Sequence, residues 1–327
     1  MTAIDSAASA PHPLVSVMLP VYEPDSLLLG ALESVLVQRQ RLGSERMQVT
    51  IVDDCSKRTD VAELLQRLQH PAGVEYHRNE TNLGLAGNWN RCIELARGPL
   101  VHLLHQDDAI RPGFYERLLD GLERAPRAGM AFCRHAFIDA AGAVTDVSHR
   151  ERLTPGILRD WLATISRETR IQTPAAIVKR SVYERLGHYR EDLKYALDWE
   201  MWTRIAVHYD VWYEPAILAE YRRHEANETA RLRLSGAADD DALQTIATIA
   251  ALLPAERRAA LTNGAYTAYV RRRLKRARKQ ISQGQLDSAR MSVAFGKRAL
   301  AQLRPSAIRH VYAWKMQRLE RRLEGSA

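Results

Sequence analysis

Leu100-Val101-His102-Leu103-Leu104-His105-Gln106-Asp107-Asp108 is a short apolar run that ends in two adjacent carboxylates. A run of this length and texture fits a buried strand. Upstream, residues 15–20 form a β-branched run bounded by Pro20, residues 49–52 a second closed by Asp53-Asp54, and residues 74–76 a third. Between them, helical spacing covers residues 27–38, with Asp25 or Ser26 available as cap, then 60–68 and 85–97. Downstream, apolar stretches at 130–133 and 175–178 extend the sheet. The alternation predicts an α/β fold with a mainly parallel central sheet. Ligands of such sheets bind beyond the carboxyl ends of the strands, where Asp53-Asp54 and His105-Gln106-Asp107-Asp108 stand.

The chain has 327 residues, of which 46% are hydrophobic and 26% charged, enough for a full core and about two domains. This excludes intrinsic disorder and fibrous repeats. The net charge of +8 is unevenly distributed: 18 basic and 4 acidic residues from Pro254 to Ala327 give that tail +14, leaving −6 for the rest. Cys55, Cys92 and Cys133 are odd in number and lack CxxC spacing, so neither a disulfide framework nor a zinc site is indicated. No signal peptide and no run of roughly 20 apolar residues is present, so the expected location is cytoplasmic, peripheral at most to a membrane's inner face. The expected organisation is a disordered leader over 1–13, an α/β domain over 14–236 and a basic helical region over 237–327. In the last, helices are expected at 239–253, 255–284, 286–303 and 307–323, punctuated by Pro254, Gly284 and Pro305.

Paired carboxylates at a strand end suit Mg²⁺ or Mn²⁺ when substrate phosphates complete the shell. The competing reading of Asp107-Asp108 is a loop pair capping the helix beyond Pro112. There is no GxxxxGK(S/T) loop and no GxGxxG fingerprint after the first strand, which argues against an ordinary nucleotide hydrolase or dehydrogenase.

Six segments in order carry a resemblance. They are Val15-Ser16-Val17-Met18-Leu19-Pro20-Val21-Tyr22, Val49-Thr50-Ile51-Val52-Asp53-Asp54-Cys55-Ser56, Asn82-Leu83-Gly84-Leu85-Ala86-Gly87-Asn88-Trp89-Asn90, Leu103-Leu104-His105-Gln106-Asp107-Asp108, Asp198-Trp199-Glu200-Met201-Trp202-Thr203-Arg204 and Tyr221-Arg222-Arg223-His224. Together they resemble the inverting family 2 glycosyltransferases of the GT-A fold. The resemblance spans about two thirds of the chain and leaves the tail unread.

The resemblance implies a GT-A nucleotide-sugar-binding fold followed by an all-helical C-terminal region, and a donor that is a UDP- or dTDP-sugar. It implies that Pro20, Tyr22 and Glu23 form the loop beside the donor base, for which a plain turn is the alternative. It implies that Asp53 or Asp54 accepts from a pyrimidine N3–H; an N-cap is the competing reading for Asp54 or Ser56. Asn82, Gly84, Asn88 and Asn90 match the start of the donor-side helix, with Gly84 permitting close backbone approach; capping or tying loops is the alternative for some of the asparagines. Asp107 matches the last carboxylate of the metal-binding DxD motif, with Gln106 in its middle position; His105 stands where the family has its first Asp. His224 matches a position beside the diphosphate, where an imidazole completes the metal shell or donates to a phosphate oxygen, with Arg222 or Arg223 nearby.

Asp198 falls where the family places its general base, the group that deprotonates the acceptor hydroxyl during in-line attack. Glu200 is expected to pair with Arg204 four residues on, in an exposed helix turn. Trp199 and Trp202 offer an aromatic floor for an acceptor sugar, or core packing.

Residues 271–279 hold seven basic side chains in nine positions. A solvated face is the plain reading. The functional one is attraction to anionic lipid or to a lipid-linked acceptor; nucleic acid is not expected, because no recognition motif accompanies the charge. The expected activity is metal-dependent transfer of a sugar to a hydroxyl of a glycan or lipid-linked acceptor in bacterial surface polysaccharide synthesis. The rivals are a non-catalytic nucleotide- or partner-binding module of the same fold and a nucleotidyltransferase, whose Gly-rich loop is missing.

Overall fold

The computed structural model describes residues 13–67, 73–224 and 228–324. The expected leader therefore lies outside the described residues, apart from Pro13. The strands are β1 (Val15–Val21), β2 (Met47–Asp53), β3 (Val74–Arg78), β4 (Leu100–Leu103), β5 (Ala109–Ile110), β6 (Ala128–Ile138), β7 (Val144–Val147), β8 (Gly156–Ile157), β9 (Ala176–Lys179) and β10 (Asp210–Arg222). The helices are α1 (Leu27–Leu42), α2 (Val61–Arg67), α3 (Gly84–Leu95), α4 (Phe114–Arg124), α5 (Trp161–Ile165), α6 (Arg180–Leu186), α7 (Leu197–His208), α8 (Glu228–Ser235), α9 (Ala237–Leu252), α10 (Ala255–Ser282), α11 (Leu286–Ala301) and α12 (Ala307–Glu324). Two compact units result. One holds the described residues up to Leu158 with Ile171–Arg190 and Tyr209–Arg223; the other holds Arg159–Arg170, Glu191–His208 and the described residues from His224 on.

All ten strands belong to the first unit and form one sheet in the order β3-β2-β1-β4-β9-β6-β10-β5, with β7 on β6 and β8 on β10. β1 lies parallel to β2 and β4, β2 to β3, and β6 to β10, while β9 runs antiparallel to both β4 and β6. The α/β fold expected from the alternation is the one observed, and its curled, mostly parallel sheet is the GT-A-like arrangement that the resemblance implies. Every residue of β1 and β2 is buried, as parallel strands covered on both faces require. Their polar members are paired: Ser16 Oγ donates to Gln48 Oε1 at 2.6 Å and takes the Gly98 N–H at 2.8 Å.

β10 is absent from the sequence reading. Pro215 and the carboxylates Glu214 and Glu220 interrupt its pattern, and its pairing with β6 shifts register between Glu214 and Ile217 and again before Ala219. Such bulges break the period-two signal and tolerate a proline inside a strand.

In the second unit α10 is the central helix. Leu261, Tyr269, Val270, Leu274 and Ala277 are buried, as are Ala289 and Val293 of α11 and Met316, Leu319 and Leu323 of α12. A polar knot closes this core: Tyr269 Oη donates to Asp239 Oδ1 at 2.7 Å, Arg273 donates to Asp239 Oδ2 at 2.8 Å, and Arg272 donates to Glu168 at 2.7 Å. Two arginines of the basic run thus turn inward, so the run is not a uniform outward face. Among the described residues no helix is long and apolar enough to cross a membrane.

Candidate active site

At the carboxyl end of β4, one imidazole nitrogen of His105 and one carboxylate oxygen each of Asp107 and Asp108 lie within 4.8 Å of one another. Asp108 is buried, and its Oδ2 faces His105 Nδ1 at 3.2 Å. Burial, and then the neighbouring Asp107 charge, push the Asp108 carboxyl up to about 6, against the pull of His105 and of the Arg222 N–H. Two carboxylates and an imidazole concentrated in this way fit a hard divalent ion. Arg222 at the end of β10 fixes the loop: its N–H donates to Asp108 Oδ1 at 2.9 Å, and its guanidinium donates to the carbonyls of Asp107 at 2.9 Å and Asp139 at 3.0 Å. Asp108 therefore ties the loop to β10 rather than capping the next helix, whose N-cap is Gly113.

Gln106 does not point at open space. Its Oε1 accepts from the Tyr22 N–H at 2.9 Å and its amide donates to the Tyr22 carbonyl at 3.3 Å, binding the β4 loop to the end of β1. Pro20 is buried within β1, and Tyr22 is 49% exposed. The Glu23 carboxylate accepts from the N–H groups of Lys57, Arg58 and Thr59. Against a desolvation penalty, those donors hold its carboxyl below the ordinary range. Glu23 thus anchors the loop after β2.

Beyond β2, Asp53 accepts four donors: the N–H and Oγ of Ser56, Tyr76 Oη, and Arg78. Asp54 accepts three: Asn79 Nδ2 at 3.0 Å, the Leu83 N–H at 2.8 Å and the Gly84 N–H at 2.9 Å. A carboxylate has about four acceptor positions, so Asp53 is saturated and Asp54 retains one. Asn82 Nδ2 donates to the Asp54 carbonyl, Asn79 Nδ2 also reaches Asn88 Oδ1, and Asn88 Nδ2 donates to the Val52 carbonyl. One network therefore holds Asp54, Asn82, Gly84 and Asn88, with Asn79 bridging Asp54 to Asn88.

Asn79 is not among the residues that the sequence singles out. It sits just past β3, where no motif marks it, and only the fold brings it to Asp54. A Cβ at Gly84 would meet no protein atom within 4 Å, and the backbone angle there, φ +74°, itself favours glycine. Asn90 has a supporting role, exchanging hydrogen bonds with the backbone of Tyr189 at 2.9 and 3.0 Å.

Asp198 and His224 belong to the second unit, and both are half-buried. Asp198 lies in the first turn of α7, its Oδ1 accepting the Trp199 N–H at 2.7 Å. Asp241 of α9 secures the approach to that turn, accepting from the N–H groups of Lys194, Tyr195 and Ala196 at 2.7, 3.0 and 2.8 Å. Glu200 does pair with Arg204, at 2.6 Å, but the turn is buried rather than exposed. Trp199 and Trp202 are 3% and 1% exposed, which makes both of them core residues and removes the aromatic floor.

The family model described as glycosyl transferase family 2 matches residues 16–187, which carry the β1, β2 and β4 ends. The chain belongs to this family. An uncharacterized protein of Mycobacterium tuberculosis, MT1568, is 30% identical to this family 2 glycosyltransferase over 67% of the chain and 70% of its own length. Among solved structures, S. aureus TarS 1-349 in complex with UDP-GlcNAc superposes with a TM-score of 0.65 at 15% identity, covering 95% of this chain and 90% of that one. The mannosyltransferase PcManGT from Pyrobaculum calidifontis, in complex with GDP-Man and Mn²⁺, gives 0.58 at 17% identity over 94% and 85%. At these identities the likeness is one of fold.

Proposed function

We propose that this family 2 glycosyltransferase transfers a sugar, with inversion and metal assistance, from a UDP- or dTDP-sugar to a hydroxyl of a glycan or lipid-linked acceptor in bacterial surface polysaccharide synthesis. The observation that carries the reading is the grouping of His105, Asp107 and Asp108 at the end of β4. A divalent ion held there supplies charge neutralisation to the departing nucleotide diphosphate. Asp107 is the first ligand, His105 stands in for the family's first carboxylate, and His224 is the candidate for the remaining protein position. The complexes of TarS with UDP-GlcNAc and of PcManGT with GDP-Man and Mn²⁺ support a nucleotide-sugar donor and a divalent ion.

Asp54, with acceptor capacity left, reads the base N3–H, while Tyr22 and the Asn82–Asn88 network line the donor side. Asp198 takes the proton from the acceptor hydroxyl as that oxygen attacks the anomeric carbon from the face opposite the diphosphate. No covalent glycosyl enzyme is required. The domain plan in this reading is a catalytic α/β region over 14–236 and a basic helical region over 237–327 that meets the acceptor or an anionic membrane surface.

Calorimetric titration with UDP, dTDP and GDP, each with and without Mn²⁺, tests the donor. Tight metal-dependent binding of UDP or dTDP supports the reading, and a preference for GDP overturns its donor clause. Asp198→Asn is expected to keep nucleotide affinity and lose transfer; retained turnover removes Asp198 from the base role.

A further inference from the structure

Helix α12 carries large apolar side chains on two faces. Met316, Leu319 and Leu323 are buried, the ordinary stripe of an amphipathic helix. Ile308, Val311 and Trp314 are 58%, 48% and 52% exposed. Their three-residue spacing makes them neighbours along an outward strip, which Arg318 and Arg321 continue, both exposed. Trp89, Trp161, Trp199 and Trp202 are buried and Trp212 is half-buried, so Trp314 is the one exposed indole of the six in the chain. The Arg318 guanidinium lies 5.7 Å from its ring centroid.

The charge around this strip is one-sided. α12 holds five basic and two acidic residues, and one of the acids, Glu320, accepts from Lys297 of α11 at 2.9 Å. We propose that the outward strip of α12 docks the protein on an anionic phospholipid surface, with Ile308, Val311 and Trp314 at the acyl-chain boundary and Arg318 and Arg321 at the phosphates. Indole, with an apolar body and one N–H, suits the lipid interface, and arginines beside it suit anionic headgroups. A second copy fits less well, because a two-fold contact through α12 would bring the same arginines against each other. In the basic run of α10, Arg272 and Arg273 are engaged by Glu168 and Asp239, and although Arg271, Lys275, Arg278 and Lys279 are exposed, no large apolar side chain of α10 is exposed beside them, so the contact is assigned to α12. The inference deepens the membrane clause of the proposed function, and because its test reads vesicle binding and not sugar transfer, either can fail while the other stands.

The test is co-sedimentation of the full chain with phosphatidylcholine vesicles containing about 30% phosphatidylglycerol, against phosphatidylcholine alone, over a range of salt. Binding to the anionic vesicles only, weakened by salt, is expected. The triple variant Ile308→Ser, Val311→Ser, Trp314→Ser and the double variant Arg318→Glu, Arg321→Glu are each expected to weaken it by about ten-fold or more. All five positions are exposed, and circular dichroism with the thermal midpoint confirms that each variant is folded. Brominated acyl chains should quench tryptophan fluorescence in the wild type and not in Trp314→Phe. Equal vesicle binding by the variants overturns the proposal. So does absence of binding, and if light scattering then shows self-association lost in the triple variant, the strip belongs to a second copy.

Discussion

The indole of Trp89 stacks on the imidazole of His105, with ring centroids 4.9 Å apart and planes inclined by 25°. Tyr189 meets the indole edge-on at 5.0 Å, and Asn90 clasps the backbone of Tyr189. A helix residue thereby sets the plane of a side chain in the proposed metal site. Trp89→Leu is expected to weaken Mn²⁺ binding about ten-fold, as loss of support behind a metal ligand does. Titration calorimetry with Mn²⁺ checks this, and unchanged affinity would show that the stack is packing alone.

The Asp108 carboxyl, raised from its ordinary 3.8 to about 6, gives a pH dependence with a definite sign. The folded ion-free chain holds this proton more tightly than the unfolded one, so the contribution to stability is full below about 4 and is lost as pH rises through 6. A bound cation reverses the preference by favouring the carboxylate. The rise in thermal midpoint on adding Mn²⁺ should therefore be larger at pH 7 than at pH 5. Asp108→Asn should remove most of that difference.

His102 lies in β4 with Nδ1 3.0 Å from Tyr115 Oη and Nε2 3.0 Å from the Pro174 carbonyl. Burial, only partly offset by the Pro174 carbonyl, pushes its pKa down from 6.5 to about 3, so the folded ring is neutral. Unfolding lets it take a proton, and stability is lost as pH falls from 6.5 towards 3. His102→Gln should flatten the profile of thermal midpoint against pH over this window. An unchanged slope would mean that other groups set it.

Asp241 receives three N–H donors from residues 194–196, just before the α7 turn that carries Asp198. Asp241→Ala leaves the N–H groups of half-buried Tyr195 and buried Ala196 without their acceptor, at a cost of about 1–3 kcal/mol. Nucleotide affinity should persist while turnover falls. Equal losses in both would indicate general destabilisation rather than positioning.

The strand ends were legible in the sequence because a parallel strand buried on both faces reads as an unbroken apolar run, and the carboxylates stand where the run stops. The family followed from the order of those ends. What was not legible depended on long-range partners. Nothing adjacent to Asn79 announces its bond to Asp54, and Arg222 and Asp108 meet across 114 positions of chain. Gln106 and Glu23 look like ligand-facing polar residues in the sequence, yet both close onto backbone groups of neighbouring loops. Arg272 and Arg273 of α10 likewise read as part of a surface until Glu168 and Asp239 are seen to meet them.

Nucleotide release from a panel of UDP- and dTDP-sugars with Mg²⁺ or Mn²⁺, compared between wild type and Asp107→Ala, tests the metal-assisted transfer most directly. The account predicts metal-dependent release by the wild type from one donor class and its loss in the variant, with the variant's fold intact. Release that is independent of added metal, or that survives in Asp107→Ala, would contradict it.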